Sequence, residues 1–356
     1  MRSFRRVGKY LLLLFALCAL FALAVIGYLT ITEYSPDEIE TLAITMRQRP
    51  HIVPKGQRLV AVTWNIGYGG LGRNQNFFMD GGKMVRPEKK QDVEENLRGI
   101  VNGLSQQQAD LYLIQEADVD SKRSYYINQR EAIEHGLLLG SSYAKNYQCV
   151  YVPFPWPTIG KVDSGLMNFS LFQVEEATRE SLPVPFRWPI RAANLKRCLL
   201  VERMPIENSD KKLVVINLHL EAYESGEGRK QQTEMLMRVL EAEQRNGNYV
   251  IVGGDFNQTF PEAMEYPILY EDLWKPGALE ANELPKGYRY VFDSASPTCR
   301  LLNENYSGNR KETQFFVIDG FILSDNIKVN HIQTIDLNFQ HSDHNPVRLE
   351  FTLADD

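Results

Sequence analysis

Six short polar segments each close an apolar stretch of this chain, and they hold most of the side chains able to do chemistry. They are Thr63-Trp64-Asn65-Ile66, Gln115-Glu116, Asn217-Leu218-His219, Gly254-Asp255-Phe256-Asn257, Ile318-Asp319-Gly320 and Ser342-Asp343-His344. Singly, each has an ordinary explanation. Asn65 precedes Gly67, Gly69 and Gly70, a composition suited to a turn. A lone His219 in an apolar run suits a hydrogen-bonded core site. Asp255 and Asn257 are spaced i, i+2, which puts both on one face of an extended segment. Asp319 interrupts an apolar run and needs a partner there.

Jointly the set describes phosphate-ester chemistry. Glu116 and Asp343 offer hard oxygen ligands, and Mg²⁺ needs only one or two carboxylates because it keeps several waters. Mn²⁺ is the alternative ion. His344 is a titratable imidazole, and Asp319 an acid to orient it. A paired acid fixes the tautomer of a histidine and raises its pKa. The amides of Asn65 and Asn257 suit phosphate oxygens. The chain has no glycine-rich nucleotide loop ending in Lys-Ser/Thr, and no nucleophile elbow. Arg197 and Arg300 are candidate phosphate contacts.

The elements that must position these groups are strands with some helices. Residues 59–64, 111–114, 148–152, 213–218, 249–252, 315–323, 331–335 and 347–353 are rich in β-branched, aromatic or other apolar residues. Residues 88–107 and 228–244 carry apolar residues at helical spacing among Glu, Lys, Arg and Gln. The mixture predicts an α/β (α+β) fold. No linker divides residues 58–356, which are expected to form one catalytic domain.

The N-terminus predicts an address. Arg2, Arg5, Arg6 and Lys9 stand in a short basic tail, residues 1–9, and residues 10–31 carry no charge. Such a run crosses roughly 30 Å of hydrocarbon as a helix. Basic residues before it predict a cytoplasmic N-terminus and an extracytoplasmic catalytic domain on a single-pass signal anchor. The alternative is secretion after cleavage near Ala22-Leu23-Ala24. Val25, Ile26 and Leu29 prolong the run beyond what a signal peptide needs, which favours the anchor. Residues 32–57, with Pro36, Pro50, Pro54 and Gly56, are expected to be a linker.

Composition narrows the partners. A net charge of −6 gives no broad basic face for nucleic acid. Beyond Cys18, the three remaining cysteines allow at most one disulfide, and their spacing fits no zinc site. Phe154, Trp156 and three prolines between Val152 and Thr158 make a rigid aromatic loop, suited to lipid, substrate or simple packing.

In this order, the six segments resemble the endonuclease/exonuclease/phosphatase superfamily. It includes deoxyribonuclease-I-like nucleases, apurinic-site endonucleases, neutral sphingomyelinases and inositol polyphosphate 5-phosphatases. Gly254-Asp255-Phe256-Asn257 and Ser342-Asp343-His344, with Gln115-Glu116 upstream, are the most specific matches. The resemblance implies a four-layer sandwich, two packed mixed β-sheets flanked by helices, here preceded by one transmembrane helix. It implies Glu116 as principal metal ligand, Asn65 beside it on metal or phosphate, and Asp343 as a further metal or water contact. It implies His344 as catalytic histidine with Asp319 orienting it, Asp255 activating or positioning water, and Asn257 stabilising the developing charge. His219 matches the second histidine of the nuclease, sphingomyelinase and 5-phosphatase branches. The apurinic-site branch has Tyr there and is disfavoured.

The expected function is Mg²⁺-dependent hydrolysis of a phosphodiester or phosphomonoester by in-line water attack, by a membrane-anchored monomer. The expected substrate is a lipid head group, a small phosphate ester or nucleic acid. An extracellular nuclease, its groove rimmed by Lys122, Arg123 and Arg130, is the alternative within the superfamily. A non-catalytic binding protein on this fold is the alternative from another class, and the intact acid, amide and imidazole set argues against it.

Overall fold

The computed structural model describes residues 2–46, 49–223 and 226–354, with the side chains of residues 2–5 left out. Met1, the side chains of Arg2 and Arg5, and residues 47–48 of the expected linker therefore lie outside the described residues. In chain order the first elements are helix α1 (Arg2–Ile31), strands β1 (Ile39–Thr41), β2 (Ile44–Thr45) and β3 (Arg58–Asn65), helix α2 (Lys90–Gln107), strand β4 (Leu111–Asp118) and helix α3 (Gln129–Leu137). Strands β5 (Gly140–Val152), β6 (Gly160–Ser170), β7 (Glu176–Ser181), β8 (Cys198–Pro205) and β9 (Lys212–His219) follow, then helix α4 (Glu227–Asn246) and β10 (Tyr249–Asp255). Next come β11 (Gln258–Thr259), β12 (Gly277–Ala278), β13 (Tyr288–Val291), β14 (Cys299–Arg300) and β15 (Phe315–Phe316). The last are β16 (Asp319–Ser324), β17 (Ile327–Thr334) and β18 (Val347–Leu353).

Two mixed seven-stranded sheets form the centre. One has the order β1-β7-β8-β9-β10-β16-β13, the other β17-β18-β3-β4-β6-β5-β2. Strand alternation explains how they stack. In β8, Cys198, Leu200 and Met204 lie between the sheets, whereas Leu199 and Val201 lie in the layer under α4. The inter-sheet core joins Leu59, Leu113, Val215, Ile251, Phe321 and Leu349. Leu236 and Leu240 of α4 cover Val250 and Val252 on one outer face. Leu97, Ile100 and Leu104 of α2, spaced along one helical face, cover Val62, Trp64 and Tyr112 on the other, with α3 beside them. Each such side chain contributes about 1.5–3 kcal/mol by leaving water. The result is the four-layer sandwich, helix–sheet–sheet–helix.

Strand register brings the polar ends together. His219 of β9 is the partner of Asp255 in parallel β10, and Asp255 is the partner of Asp319 in antiparallel β16. In the other sheet Asn65 of β3 lies opposite Gln115 of parallel β4. Gly254 keeps β9 and β10 close, because a Cβ there would lie 2.0 Å from the Leu218 carbonyl oxygen.

Three features differ from the expectations. The described residues of 32–57 are built into the domain: β1 and β2 pair with β7 and β5, and Val53 is fully buried beside Ile206. Pro36 lies between α1 and β1, and Pro50, Pro54 and Gly56 lie between β2 and β3. Helix α3 and strands β6 to β8 are additional elements. β6 and the first part of β5 bury Ser141, Ser142, Asn146, Asn168 and Ser170, so they lack an apolar strand signature. The run 315–323 divides at Val317 and Ile318, where Thr298 Oγ1 accepts from the amides of Ile318 and Asp319. Cys149, Cys198 and Cys299 are buried and unpaired.

Helix α1 is long and apolar enough to cross a membrane. Residues 6–24 are exposed on every side. From Val25 the helix lies against the domain, and Leu29 packs with Tyr147, Val152 and Ala192.

Candidate active site

A pocket of about 570 Å³ lies over the converging strand ends, with Glu116, His219, Asp343 and His344 in its lining. Glu116 is re-aimed by a bulge. The β4–β6 register shifts between Ile114 and Ala117, and Glu116 takes φ 52°. Asn65 Nδ2 donates to Glu116 Oε1 at 3.2 Å and to Asp255 Oδ2 at 3.0 Å, while its oxygen accepts from the Gly67 amide. Asn65 therefore orients two acids. Its oxygen accepts from Gly67 and keeps a second lone pair beside Glu116.

The last segment is tied to β3. Ser342 Oγ donates to the Asn65 carbonyl at 2.8 Å, and Trp64 Nε1 donates to the His344 carbonyl at 2.8 Å. These bonds hold Asp343 and His344 over the β3 end. His344 Nδ1 lies 2.8 Å from Asp319 Oδ2, and His344 Nε2 lies 3.7 Å from Asp255 Oδ2. His219 Nε2 approaches the same Asp255 oxygen at 3.4 Å. Asn257, at φ 51°, donates its backbone amide to Asp255 Oδ1 at 2.9 Å and its side-chain amide to the Leu220 carbonyl at 2.8 Å. Glu116, Asp255, Asp319, Asp343 and both histidines thus belong to one constellation.

Its electrostatics follow from crowding. Burial first, then the neighbouring Glu116 and Asp80 charges, push the Asp343 carboxyl up to about 7. Burial, then Asp319, push Asp255 up to about 6. Burial, the Arg197 cation and His344 hold His219 well below its ordinary value, so it is neutral and its 3.4 Å approach to Asp255 is not an ion pair. Burial opposes charging of His344, but Asp319, Cys299, Asp255 and Asp343 outweigh it and hold the imidazole well above its usual value. The raised Asp343 and Asp255 carboxyls mark a buried floor short of positive charge. The oxygen-rich pair Glu116 and Asp343 fits a hard divalent cation.

Of the two arginines expected to contact phosphate, the structure keeps one near the pocket. Arg197 lines it, held by Glu221 at 3.2 Å and by the His219 carbonyl at 3.0 Å. Arg300 is buried elsewhere. Its guanidinium donates to the carbonyls of Gly72 at 2.9 Å, Gln75 at 3.2 Å and Glu304 at 3.2 Å, so it braces loops instead of meeting substrate. Two of the three residues of the basic rim expected of a nuclease are paired internally. Arg130 pairs with Glu134, and Arg123 makes two bonds to Asp118 at 3.1 and 2.9 Å.

Arg123 has a different place from the one expected. It lines the pocket and lies 3.8 Å from the centre of the buried Tyr68 ring. Tyr223, bonded to Asp80 at 2.7 Å, is a second lining residue not expected from the sequence. No signal along the chain marks Arg123 for this place, because Asp118 and Tyr68 meet it only in the fold. Gln115 and Asn217 have a structural task. Gln115 Nε2 donates to Asn217 Oδ1 at 2.7 Å across the gap between the sheets.

Comparisons with known proteins agree with this architecture. The model of the Endonuclease/Exonuclease/phosphatase family matches residues 62–344. Among solved structures, an endonuclease/exonuclease/phosphatase from Beutenbergia cavernae DSM 12333 is similar at TM-score 0.58 and 16% identity, covering 84% of this chain and 72% of that one. The human Nocturnin catalytic domain with bound sulfate is similar at TM-score 0.52 and 14% identity, covering 88% and 98%. A functionally unknown conserved protein from Enterococcus faecalis V583 is similar at TM-score 0.53 and 15% identity, covering 83% and 99%. These likenesses show the fold. No curated protein sequence matches this chain. The matched stretch runs from β3 through the Ser342-Asp343-His344 segment and takes in every strand end just described, and the chain belongs to the endonuclease/exonuclease/phosphatase family.

Proposed function

We propose that the protein is a membrane-anchored hydrolase of phosphate esters that depends on Mg²⁺, or on Mn²⁺ as the alternative. The observation that carries the reading is the shared floor. Glu116 and Asp343 from one sheet's strand ends, and His219 and Asp255 from the other's, converge with the His344–Asp319 pair. Glu116 and Asp343 would hold the cation, with Asn65 keeping Glu116 in place. A bound divalent ion would supply Lewis-acid polarisation of the phosphoryl group.

The chain's own residues account for the proton movements. Asp255, titrating close to neutrality, accepts a proton from the attacking water. The water oxygen bonds to phosphorus, and the phosphorus–oxygen bond to the leaving group breaks in line with it. His344, kept protonated by Asp319, gives a proton to the leaving oxygen. Neutral His219 and the Asn257 amide stabilise charge on the non-bridging oxygens.

Several observations support the membrane-bound address. The apolar helix runs through Ile31, and its last turns pack on the domain. Arg6 and Lys9 precede the span, which favours a cytoplasmic N-terminus and an extracytoplasmic catalytic domain.

A hydrolysis panel tests the reading. Bis-p-nitrophenyl phosphate, plasmid DNA, sphingomyelin and inositol phosphates are offered with Mg²⁺ and with EDTA. We expect metal-dependent turnover of at least one, lost in His344→Ala and Asp255→Ala. No turnover and no metal binding would leave a binding protein on this fold. Salt-sensitive plasmid cleavage would favour the nuclease reading.

A further inference from the structure

The pocket does not end at the catalytic floor. It runs on between apolar walls and reaches helix α1, whose Val25, Ile26 and Leu29 are part of its lining. Phe78, Phe154 and Ile190 line the same stretch. The cavity is therefore divided by chemistry, with acids and imidazoles at one end and hydrocarbon at the other.

The position of this apolar end relative to a bilayer follows from helix length. A helix rises about 1.5 Å per residue, so roughly 20 residues are needed to cross about 30 Å of hydrocarbon. The exposed, uncharged residues from Tyr10 to Ala24 are too few. The span must include the turn from Val25 to Leu29, which places the wall of the pocket at the hydrocarbon boundary. The helix is fastened there. Trp188 Nε1 donates to Thr30 Oγ1 at 3.0 Å, and Glu33 pairs with Arg191 at 2.9 Å and Lys196 at 3.3 Å.

The surface around the mouth agrees with immersion. Trp156 is 90% exposed, Phe154 68%, Ile190 64% and Trp188 58%. Large apolar and indole side chains exposed together are unfavourable in water but common at a membrane interface, where the ring is buried and the N–H stays wet. Phe154 packs edge-on against Phe78 across the mouth, with ring centres 6.1 Å apart, so this loop also shapes the entrance.

We infer that the substrate is a membrane lipid phosphate ester: its phosphate meets Glu116 and His344, while its hydrocarbon chain lies against Val25, Ile26 and Ile190 and continues into the bilayer that α1 crosses. This rests on the phosphoesterase reading above and specifies its substrate class. A water-soluble phosphate ester would leave the apolar half of the pocket unfilled.

The test uses the full-length protein in phosphatidylcholine vesicles with Mg²⁺. The probes are methyl, octyl and hexadecyl p-nitrophenyl phosphate. In each, water displaces p-nitrophenolate and leaves the alkyl phosphate. We expect kcat/KM to rise at least about tenfold from the methyl to the octyl ester, since each buried methylene favours binding. In Ile190→Asp and Val25→Asn the octyl-to-methyl ratio should fall towards one. Metal-dependent hydrolysis with no chain-length preference overturns the inference and leaves the phosphoesterase reading standing. A preference that persists in both variants also overturns it, because partitioning into the vesicle then explains the gain. No hydrolysis of any of the three esters overturns this inference, and the hydrolysis panel above then decides the phosphoesterase reading separately.

Discussion

Gln115 and Asn217 meet between the two sheets, with Gln115 Nε2 2.7 Å from Asn217 Oδ1. One precedes Glu116 by a single residue, and the other precedes His219 by two. Asn217 also donates to the Ile114 and Met167 carbonyls and to Asn168, all near 3.1 Å or closer. This knot sets the distance between the Glu116 side and the imidazole side of the site. Asn217→Leu should cost about 1–3 kcal/mol for each partner left unsatisfied. It should also slow turnover by roughly a hundredfold through misplacement of Glu116 and His219. Urea midpoints and turnover of the folded variant check both. Unchanged turnover in a destabilised variant would mean that the knot serves folding alone.

The Asp319–His344 pair predicts a charge effect separable from folding. Asp319→Asn preserves shape but removes the charge that favours the imidazolium. Turnover of bis-p-nitrophenyl phosphate should fall by about 10²- to 10⁴-fold with the circular-dichroism spectrum unchanged. Activity within a few-fold of the parent protein would show that His344 does not need that charge.

Asn65 should act on the metal through Glu116. Asn65→Ala is expected to weaken Mg²⁺ binding by roughly 10- to 100-fold, measured by calorimetry on the folded protein. Glu116→Gln should abolish it. Equal affinities in Asn65→Ala and the parent would leave Asn65 with only its bond to Asp255.

Glu202 gives a pH-dependent stability outside the site. It lies between the sheets, accepts from Ser142 Oγ at 2.6 Å, and has one oxygen without a partner. Burial pushes its carboxyl up to about 7 from an ordinary 4.5. Below the unfolded value both states are protonated and nothing is lost. As pH rises from there to the folded value, the unfolded chain releases its proton first, so stability falls. Above it the full cost remains, on the order of 3 kcal/mol. Glu202→Gln should raise the melting temperature at about pH 9 and change it little near pH 4. A gain of equal size at both would point to packing instead of charge.

Arg300 should behave as a brace. Arg300→Met removes a donor from the buried carbonyls of Gly72 and Gln75 and from that of Glu304, and is expected to cost about 3–5 kcal/mol. The melting temperature should drop while turnover per folded molecule persists. The reverse result would restore Arg300 as a substrate contact.

Much of the site was legible because its chemistry is local to strand ends. Asp255 and Asn257 follow an apolar run, and Asp343 and His344 precede one, so residue type and neighbours sufficed to single them out. The carbonyl partners of Arg300 were not legible, because a guanidinium that meets phosphate and one that meets carbonyls have the same sequence appearance. Arg123 was assigned to a rim because nothing along the chain shows that Asp118 and Tyr68 flank it. The short edge strands β1 and β2 escaped notice because pairing, not propensity, defines strands of two or three residues.

By itself the amino-acid sequence determined the donor set, the apolar strands that carry it, and a helix long enough to span a bilayer. These are properties of residue type and short-range pattern. Tertiary structure alone decided which cations reach the pocket, that Asn65 orients acids, and that the last turns of α1 wall the cavity. Each depends on contacts between segments far apart in the chain, and those exist only once the two sheets have packed.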